Sequence, residues 1–330
     1  MKMKIRYSMA PQMREYDTIG HSWVPYLMYF HTAGYSSAAV NTDPRGFRIV
    51  YRGEERISPF GGLAGSDIGL IVGGSTAFGV GATNDRQTLP SILNSLTDCL
   101  WLNFGGRAFS STQEFLLFLF YRHMLPAGRV KKIIIFSGIN NLILHHIARR
   151  YPKDLGPFFF WNQYNKSMNA SSASLKRKIF NLMTAAQAET KDAAWTAAPE
   201  DMLNVLRRDI SNWKIFAGSQ GMELYYVLQP LADWVKKELS REEAALFAEL
   251  DTNPQNIWRA LKEATGGDTY AWFRGRMREM CRENSIPFLD MNEALSKRRL
   301  DGKWLFVDRA HFTDEGYRIA AAILKEEVLK

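Results

Sequence analysis

The sequence has very little cysteine: only Cys99 and Cys281 occur among its 330 residues. Neither has another ligand-type residue at the spacing that zinc sites use, which argues against a disulfide framework and against a cysteine metal centre. We expect both thiols to be reduced and structural. We also expect no metal and no cofactor. The glycine-rich segment at Gly73 is not a Walker-type nucleotide-binding loop, because no Gly-Lys-Ser/Thr follows.

Long hydrophobic runs are absent as well. No stretch approaches the roughly 20 apolar residues of a membrane-spanning helix. The basic segment Met1–Arg6 is not followed by the apolar stretch of a signal peptide before Arg14 is reached. We therefore expect a cytoplasmic protein with no transmembrane segment.

A strong separation of charge is also missing. The net charge is +8, with 42 basic residues scattered among 34 acidic ones. Such a charge is compatible with an acidic partner, such as nucleic acid, an anionic glycan or a membrane surface, and also with a merely basic, solvated surface. Basic residues do not interleave with aromatic ones in a recognisable motif, apart from the short run Lys176-Arg177-Lys178. We expect no specific nucleic-acid partner.

What the sequence does contain is an alternation of short apolar runs and helical patterns. With 46% hydrophobic residues, the chain is long enough to bury one large core. Strand, loop and helix in alternation predict an α/β fold with a parallel sheet covered on both faces. The predicted strands are Ile68–Val72, Cys99–Phe104, Lys131–Ser137, Glu223–Pro230 and Pro287–Met291.

Three segments are longer than the usual connections of such a fold. They are an N-terminal extension over residues 1–65, expected to pack on the core, and insertions at about 151–199 and 234–269 within the main domain, residues 66–330. The last insertion shows helical patterns at Lys236–Leu250 and around Ile257–Ala264. Aromatic-rich insertions on the loop side of a sheet are typical positions of lids and acceptor grooves.

Ser75 is the first residue with a candidate role in chemistry. It follows Gly73-Gly74 at the predicted end of the first strand, where ligands gather in parallel α/β sheets. The same segment is compatible with a phosphate-binding loop or with a plain helix-capping serine. It is not a Gly-x-Ser-x-Gly elbow, because Thr76-Ala77 follows.

Three further segments are predicted to reach the same edge. Gly105 follows the second strand, and Asn140 follows the third, where its side-chain amide could donate into the cleft or simply cap a helix. Asp308 and His311 stand three residues apart on a loop before the last helix. In that arrangement His311 can act as a base toward Ser75 while Asp308 holds the other ring nitrogen.

Together these four segments resemble the SGNH hydrolases, the GDSL-like serine esterase family. The resemblance covers roughly Asp67 to Phe136 together with the last strand and the C-terminal helix. It implies a three-layer α/β/α sandwich around a five-stranded parallel sheet, a flavodoxin-like arrangement, with helical insertions.

The resemblance also implies roles for individual residues. Ser75, His311 and Asp308 would form a catalytic triad, and Ser75, Gly105 and Asn140 would supply the oxyanion hole. Two departures are visible: the family's Gly-Asp-Ser is Gly73-Gly74-Ser75 here, and Ala108 replaces the last glycine of the second block, so that Gly105 is inferred from spacing.

The expected function is a serine esterase or deacylase that acts on a short acyl ester of a carbohydrate or related small molecule. An O- or N-acyltransferase using the same acyl-serine, with a sugar hydroxyl or an amine as acceptor, is the main alternative, and a non-catalytic module holding a glycan or acyl ligand is another. The segment Asn41–Arg48 looks like one found in many bacterial members associated with glycan modification. It is compatible with a turn that packs Phe47 against the sheet, or with an Arg48 that binds an anionic substrate.

Overall fold

The structure, a computed structural model, describes residues 4–61, 63, 65–147, 154–170, 199–235, 238–252, 262, 264–300 and 302–329. Most of the 151–199 insertion, including the Lys176-Arg177-Lys178 run, lies outside these residues. So does most of the helix expected around Ile257–Ala264.

The described strands are β1 (His21–Val24), β2 (Met28–His31), β3 (Val50–Arg52), β4 (Glu55–Ile57), β5 (Ile68–Gly73), β6 (Leu100–Gly105), β7 (Val130–Ser137), β8 (Glu223–Leu228) and β9 (Phe288–Asp290). The described α-helices are α1 (Lys4–Met9), α2 (Met13–Thr18), α3 (Ser75–Phe78), α4 (Leu89–Leu96), α5 (Ser111–Tyr121), α6 (Ile139–Ile147), α7 (Trp161–Ala170), α8 (Pro199–Ser219), α9 (Ala232–Val235), α10 (Arg241–Asp251), α11 (Thr269–Glu283), α12 (Met291–Ser296) and α13 (Asp314–Glu327).

The central sheet contains five strands in the order β6-β5-β7-β8-β9, and every neighbouring pair is parallel. The predicted five-stranded parallel sheet is therefore confirmed. From β5 the chain crosses to one side to form β6 and then returns to the other side to form β7. Loops diverge at such a switch point, which opens a crevice at the carboxyl ends of β5 and β7.

The two faces of the sheet carry separate hydrophobic cores. Leu70 and Val72 belong to the core that contains residues of α5, α8 and α11, whereas Ile71 belongs to the core formed with α4, α12 and α13. This alternation follows from the two-residue side-chain period of a strand. Each such aliphatic side chain, fully buried, contributes roughly 1.5–3 kcal/mol. The sheet is thus the middle of three layers.

The segment Glu114–Met124 is apolar nearly all round, which predicts a deeply buried helix. Helix α5, which covers most of this segment, is buried on one side only. Leu117 and Phe118 are inaccessible, but Phe120 is 38% exposed, and its ring lies 6.3 Å from the ring of exposed Tyr26. As a member of an outer layer the helix can turn only one face to the sheet.

The segment that precedes β3 forms a turn, as the first of the two interpretations predicts. The Asp43 carboxylate accepts hydrogen bonds from the N–H groups of Arg45 (2.8 Å) and Phe47 (2.9 Å), which closes the turn locally. Phe47 is 1% exposed and belongs to the core that includes α5.

Arg48 has a structural role, and the anion-binding interpretation of this residue is wrong. Its side chain is buried and pairs with Asp85 at 2.8 Å. The remaining four N–H groups donate to the Phe78 and Gly79 carbonyls at the end of α3, to the Tyr16 hydroxyl and to the Ala39 carbonyl. No N–H group of the Arg48 guanidinium is left to bind a substrate, because all of them bind groups of the protein, among them the carbonyls at the end of the helix that begins at Ser75.

Among the helices of the described residues, none combines the length and the apolar character that crossing a bilayer requires.

Candidate active site

Ser75 is the first residue of α3 and directly follows the turn that leaves β5. It is partly exposed, while Thr76, Ala77 and Phe78 behind it are buried. The short helix therefore presents its first side chain at the carboxyl edge of the sheet and anchors itself through the others.

Ser75, His311 and Asp308 are in direct hydrogen-bond contact. His311 Nε2 lies 2.6 Å from Ser75 Oγ, and His311 Nδ1 lies 2.8 and 2.9 Å from the two oxygens of Asp308. With the carboxylate accepting from Nδ1–H, Nε2 is the nitrogen available to accept a proton from the serine. This geometry can activate a serine hydroxyl as a nucleophile.

Asp308 is completely buried, whereas the His311 side chain is 12% exposed. Burial alone would raise the pKa of Asp308, but the charge and hydrogen bond of His311, the Arg6 guanidinium and the Ala310 N–H outweigh it and lower this pKa to about 2. The carboxylate is therefore ionised across the physiological range, as an orienting group requires.

The loop that carries Asp308 and His311 is held by side chains of α9 and α10, at the beginning of and within the insertion at about 234–269. Arg309 donates to both oxygens of Asp233 at 2.6 and 2.7 Å and to Asp251 at 2.9 Å. Just upstream, the Glu243 carboxylate accepts the backbone N–H of Leu305 at 2.9 Å. Helices α9 and α10 thus fix the position of the loop that carries His311.

Asn140 lies at the start of α6 and links the two glycine-containing turns. Its Nδ2 donates to the Phe109 carbonyl at 2.7 Å, and the same nitrogen would be 2.7 Å from a Cβ atom at Gly74. An amide nitrogen carries two hydrogens, so one remains beside the backbone that precedes Ser75. Glycine at position 74 is what permits this close approach.

The structure places Gly105 differently from its expected role. It is buried at the end of β6, and its N–H donates to the Asn103 side chain at 3.0 Å. A Cβ atom here would lie 2.2 Å from the Phe78 nitrogen, so glycine is needed for α3 to pack on the strand. Because this N–H is already paired inside the protein, the geometry does not support it as a donor in the cleft.

Ala108, three residues further on, has the properties expected of Gly105. It is partly exposed and has a φ of 59°, in the left-handed region that glycine usually occupies. Within the described residues its N–H has no hydrogen-bond acceptor. The neighbouring Phe109 carbonyl is bonded to Asn140, which brings this loop to the same cleft.

An aromatic surface adjoins this loop. The Tyr29 hydroxyl donates to the Ala108 carbonyl at 2.5 Å. Its ring lies 5.1 Å from that of Phe160, which is 38% exposed, and Trp23 of the same hairpin meets the Tyr164 ring of α7 edge-on at 5.7 Å. Partly exposed rings therefore lie next to Tyr29, which contacts the Ala108 loop.

Comparison with known proteins gives matches in structure only. No family profile and no curated protein matches the sequence. A G-D-S-L lipolytic protein from Veillonella parvula is 10% identical, with a TM-score of 0.43 over 81% of this chain and 100% of that one. A lipase/acylhydrolase from Enterococcus faecalis is 13% identical, with a TM-score of 0.41 over 79% and 95%. An acetyl xylan esterase from Geobacillus stearothermophilus is 14% identical, with a TM-score of 0.40 over 79% and 95%. The solved structures that this chain resembles include lipolytic proteins of the G-D-S-L family.

Sequence reasoning located Ser75, Asn140, Asp308 and His311, and the structure brings all four to one edge of the sheet. The sequence pattern does not predict that Arg6 belongs to this group, although its guanidinium contacts Asp308. Nothing near Arg6 in the sequence marks it, because its partner is 302 residues away. In the described part of the chain, no group of three or more His, Cys, Asp or Glu side chains is placed to hold a metal ion.

Proposed function

We propose that this protein is a serine hydrolase that cleaves short acyl esters through Ser75, His311 and Asp308. The observation that carries the proposal is the continuous hydrogen-bonded path from Ser75 Oγ through the His311 ring to a buried, ionised carboxylate. Membership of the SGNH hydrolases is part of the same proposal.

In the proposed reaction, His311 Nε2 takes the Ser75 proton as Oγ attacks the ester carbonyl. The tetrahedral intermediate collapses when His311 returns the proton to the leaving alkoxide, which departs as an alcohol. Water then attacks the acyl-serine with His311 again as base, and the acid and free Ser75 are released. Asp308 holds the imidazole in the required tautomer and stabilises its protonated form.

Three donors would hold the oxyanion: the Ser75 N–H, the free hydrogen of Asn140 Nδ2, and the Ala108 N–H in place of that of Gly105. The partial exposure of all three residues and the paired, buried state of the Gly105 amide support this assignment. Loss of one such donor typically costs 10²–10³-fold in kcat, about 2.7–4 kcal/mol.

The proposed substrate class is an acylated carbohydrate, acetylated in the simplest case. The half-exposed rings of Trp23 and Phe160 beside the Ala108 loop support it, because the apolar faces of sugar rings pack on aromatic side chains.

The direct test replaces the nucleophile. Ser75→Ala should lower kcat on p-nitrophenyl acetate by about 10⁴-fold or more while the melting temperature stays close to that of the parent protein. Ser95→Ala, a serine on the exposed side of α4, is the matched control and should keep full activity. A fluorophosphonate probe should label the parent and the control but not Ser75→Ala. Undiminished turnover by Ser75→Ala would refute the proposal.

Acyl transfer is a second candidate, favoured by the same aromatic surface. A sugar hydroxyl bound there would compete with water for the acyl-serine, and both outcomes use the same triad. Incubation with an acetyl donor and acetyl-free xylo-oligosaccharides separates them. Acetylated oligosaccharide in the products indicates transfer, and acetate alone indicates hydrolysis.

A further inference from the structure

Arg6 connects the N-terminal helix to the carboxylate of the triad. Its side chain is only 3% exposed, and Nη2 donates to Asp308 Oδ2 at 3.2 Å. Nη1 donates to the Val307 carbonyl at 3.2 Å. The guanidinium therefore holds both the Asp308 side chain and the backbone just before it.

The position of Arg6 is fixed independently of Asp308. Its Nε pairs with Asp17 at 3.0 Å, on the side facing α2. The backbone N–H groups of Ile5 and Arg6 donate to the Glu249 carboxylate of α10 at 2.9 and 2.7 Å. A group held rigidly by other elements can orient the carboxylate that it touches.

The Arg6 charge also acts on the base. A carboxylate stabilises the protonated imidazole that forms during the reaction, and a buried cation on the far side of that carboxylate weakens this attraction. Among the described residues, Arg6 donates a hydrogen bond to Asp308, and the buried Tyr317 interacts with this carboxylate more remotely. The nearby Arg309 is directed away, toward Asp233 and Asp251.

We propose that Arg6 is a positioning residue for the triad, which orients Asp308 and places a buried positive charge against the carboxylate that holds His311. The inference rests on the proposed function, because it assigns His311 as the base. The competing explanation is that Arg6 only anchors α1 to the body of the protein.

Arg6→Met and Arg6→Lys separate the two explanations, with Met9→Ala as the matched control. Met9 is partly buried against the core that includes residues of α10, so Met9→Ala weakens the packing of α1 and changes none of the groups that bind Arg6. The first measurement is the pH profile of kcat/KM on p-nitrophenyl acetate. The acid limb should move upward by about one pH unit in Arg6→Met. It should move less in Arg6→Lys, which keeps the charge, and should stay in place in Met9→Ala.

The second measurement is an NMR titration of the His311 ring in the Ser75→Ala background, assigned by its loss in His311→Gln. The midpoint should move upward in Arg6→Met whether or not the protein hydrolyses esters, so the inference and the proposed function can fail separately. If Arg6→Met does not fold, the comparison of Arg6→Lys with Met9→Ala decides. Equal pH profiles and titration midpoints in the parent and the Arg6 variants, with only a lower melting temperature, would overturn the inference. So would an equal displacement in Met9→Ala.

Discussion

Gly74→Ala tests the proposed oxyanion site at the position where this chain departs from Gly-Asp-Ser. The added Cβ would lie 2.7 Å from Asn140 Nδ2, 3.6 Å from Asn140 Cγ and 3.9 Å from Gln229 Oε1, and nothing else is as close. An ordinary contact of this kind is about 3.5 Å, so the amide must withdraw by several tenths of an ångström.

The structure predicts that this change separates activity from stability. Only the end of a side chain obstructs the Cβ, and the Gly74 φ of −81° is open to any residue. The unfolded chain also loses entropy in a Gly→Ala change, which favours the folded state by about 0.4–1 kcal/mol. The melting temperature should therefore change by only a few degrees, whereas kcat should fall by about 10- to 10³-fold as the donor leaves its position.

The assay is kcat on p-nitrophenyl acetate in a double-mutant cycle with Asn140→Ala. If Gly74→Ala acts by displacing Asn140, the double variant should be no slower than Asn140→Ala alone. Gly74→Asp, which recreates the Gly-Asp-Ser of the family that the sequence resembles, brings the same Cβ against Asn140 Nδ2 and should also lower kcat. A parent-like kcat in Gly74→Ala, or a further loss of full size on top of Asn140→Ala, would refute the reasoning.

Two further predictions concern the structure that supports the site. Arg48→Met should lower the free energy of unfolding by about 3–5 kcal/mol in urea titrations, since it leaves a buried carboxylate unpaired. Arg86→Met, which removes an exposed pair with Glu54, should cost less than about 1 kcal/mol, and equal losses would contradict the assigned role of Arg48. The second concerns His31, whose pKa is lowered well below its usual value, first by burial and then by the charge of Arg107. As the pH falls, His31 is protonated in the unfolded chain before it is protonated in the folded protein. The free energy of unfolding should therefore fall by up to about 1.4 kcal/mol for each pH unit below about 6.5. The fall should be shallower in His31→Gln, and an unchanged slope would exclude His31 as its source.

Much of the fold could be predicted because buried parallel strands are continuous apolar runs, and all five lie within two residues of their expected bounds. The site could be predicted only where residue type and order suffice. The prediction of Gly105 as an oxyanion donor rests on spacing alone. Spacing does not reveal which backbone N–H of a loop points into a cleft, because the direction of each N–H depends on backbone angles such as the positive φ of Ala108. The contact between Arg6 and Asp308 leaves no local pattern at all.

That same contact has a consequence for biosynthesis. The last strand of the central sheet ends at Asp290, whereas Asp308 and His311 come later in the chain and contact Arg6 and Ser75, which precede them by 302 and 236 residues. A nascent chain can therefore complete its central sheet before His311 is available to Ser75 and before Asp308 is available to Arg6. Closing such a long loop is entropically slow compared with forming local contacts. Under the proposed function, Ser75 therefore has no base to activate it until the loop with Asp308 and His311 has been synthesised and has packed beside it.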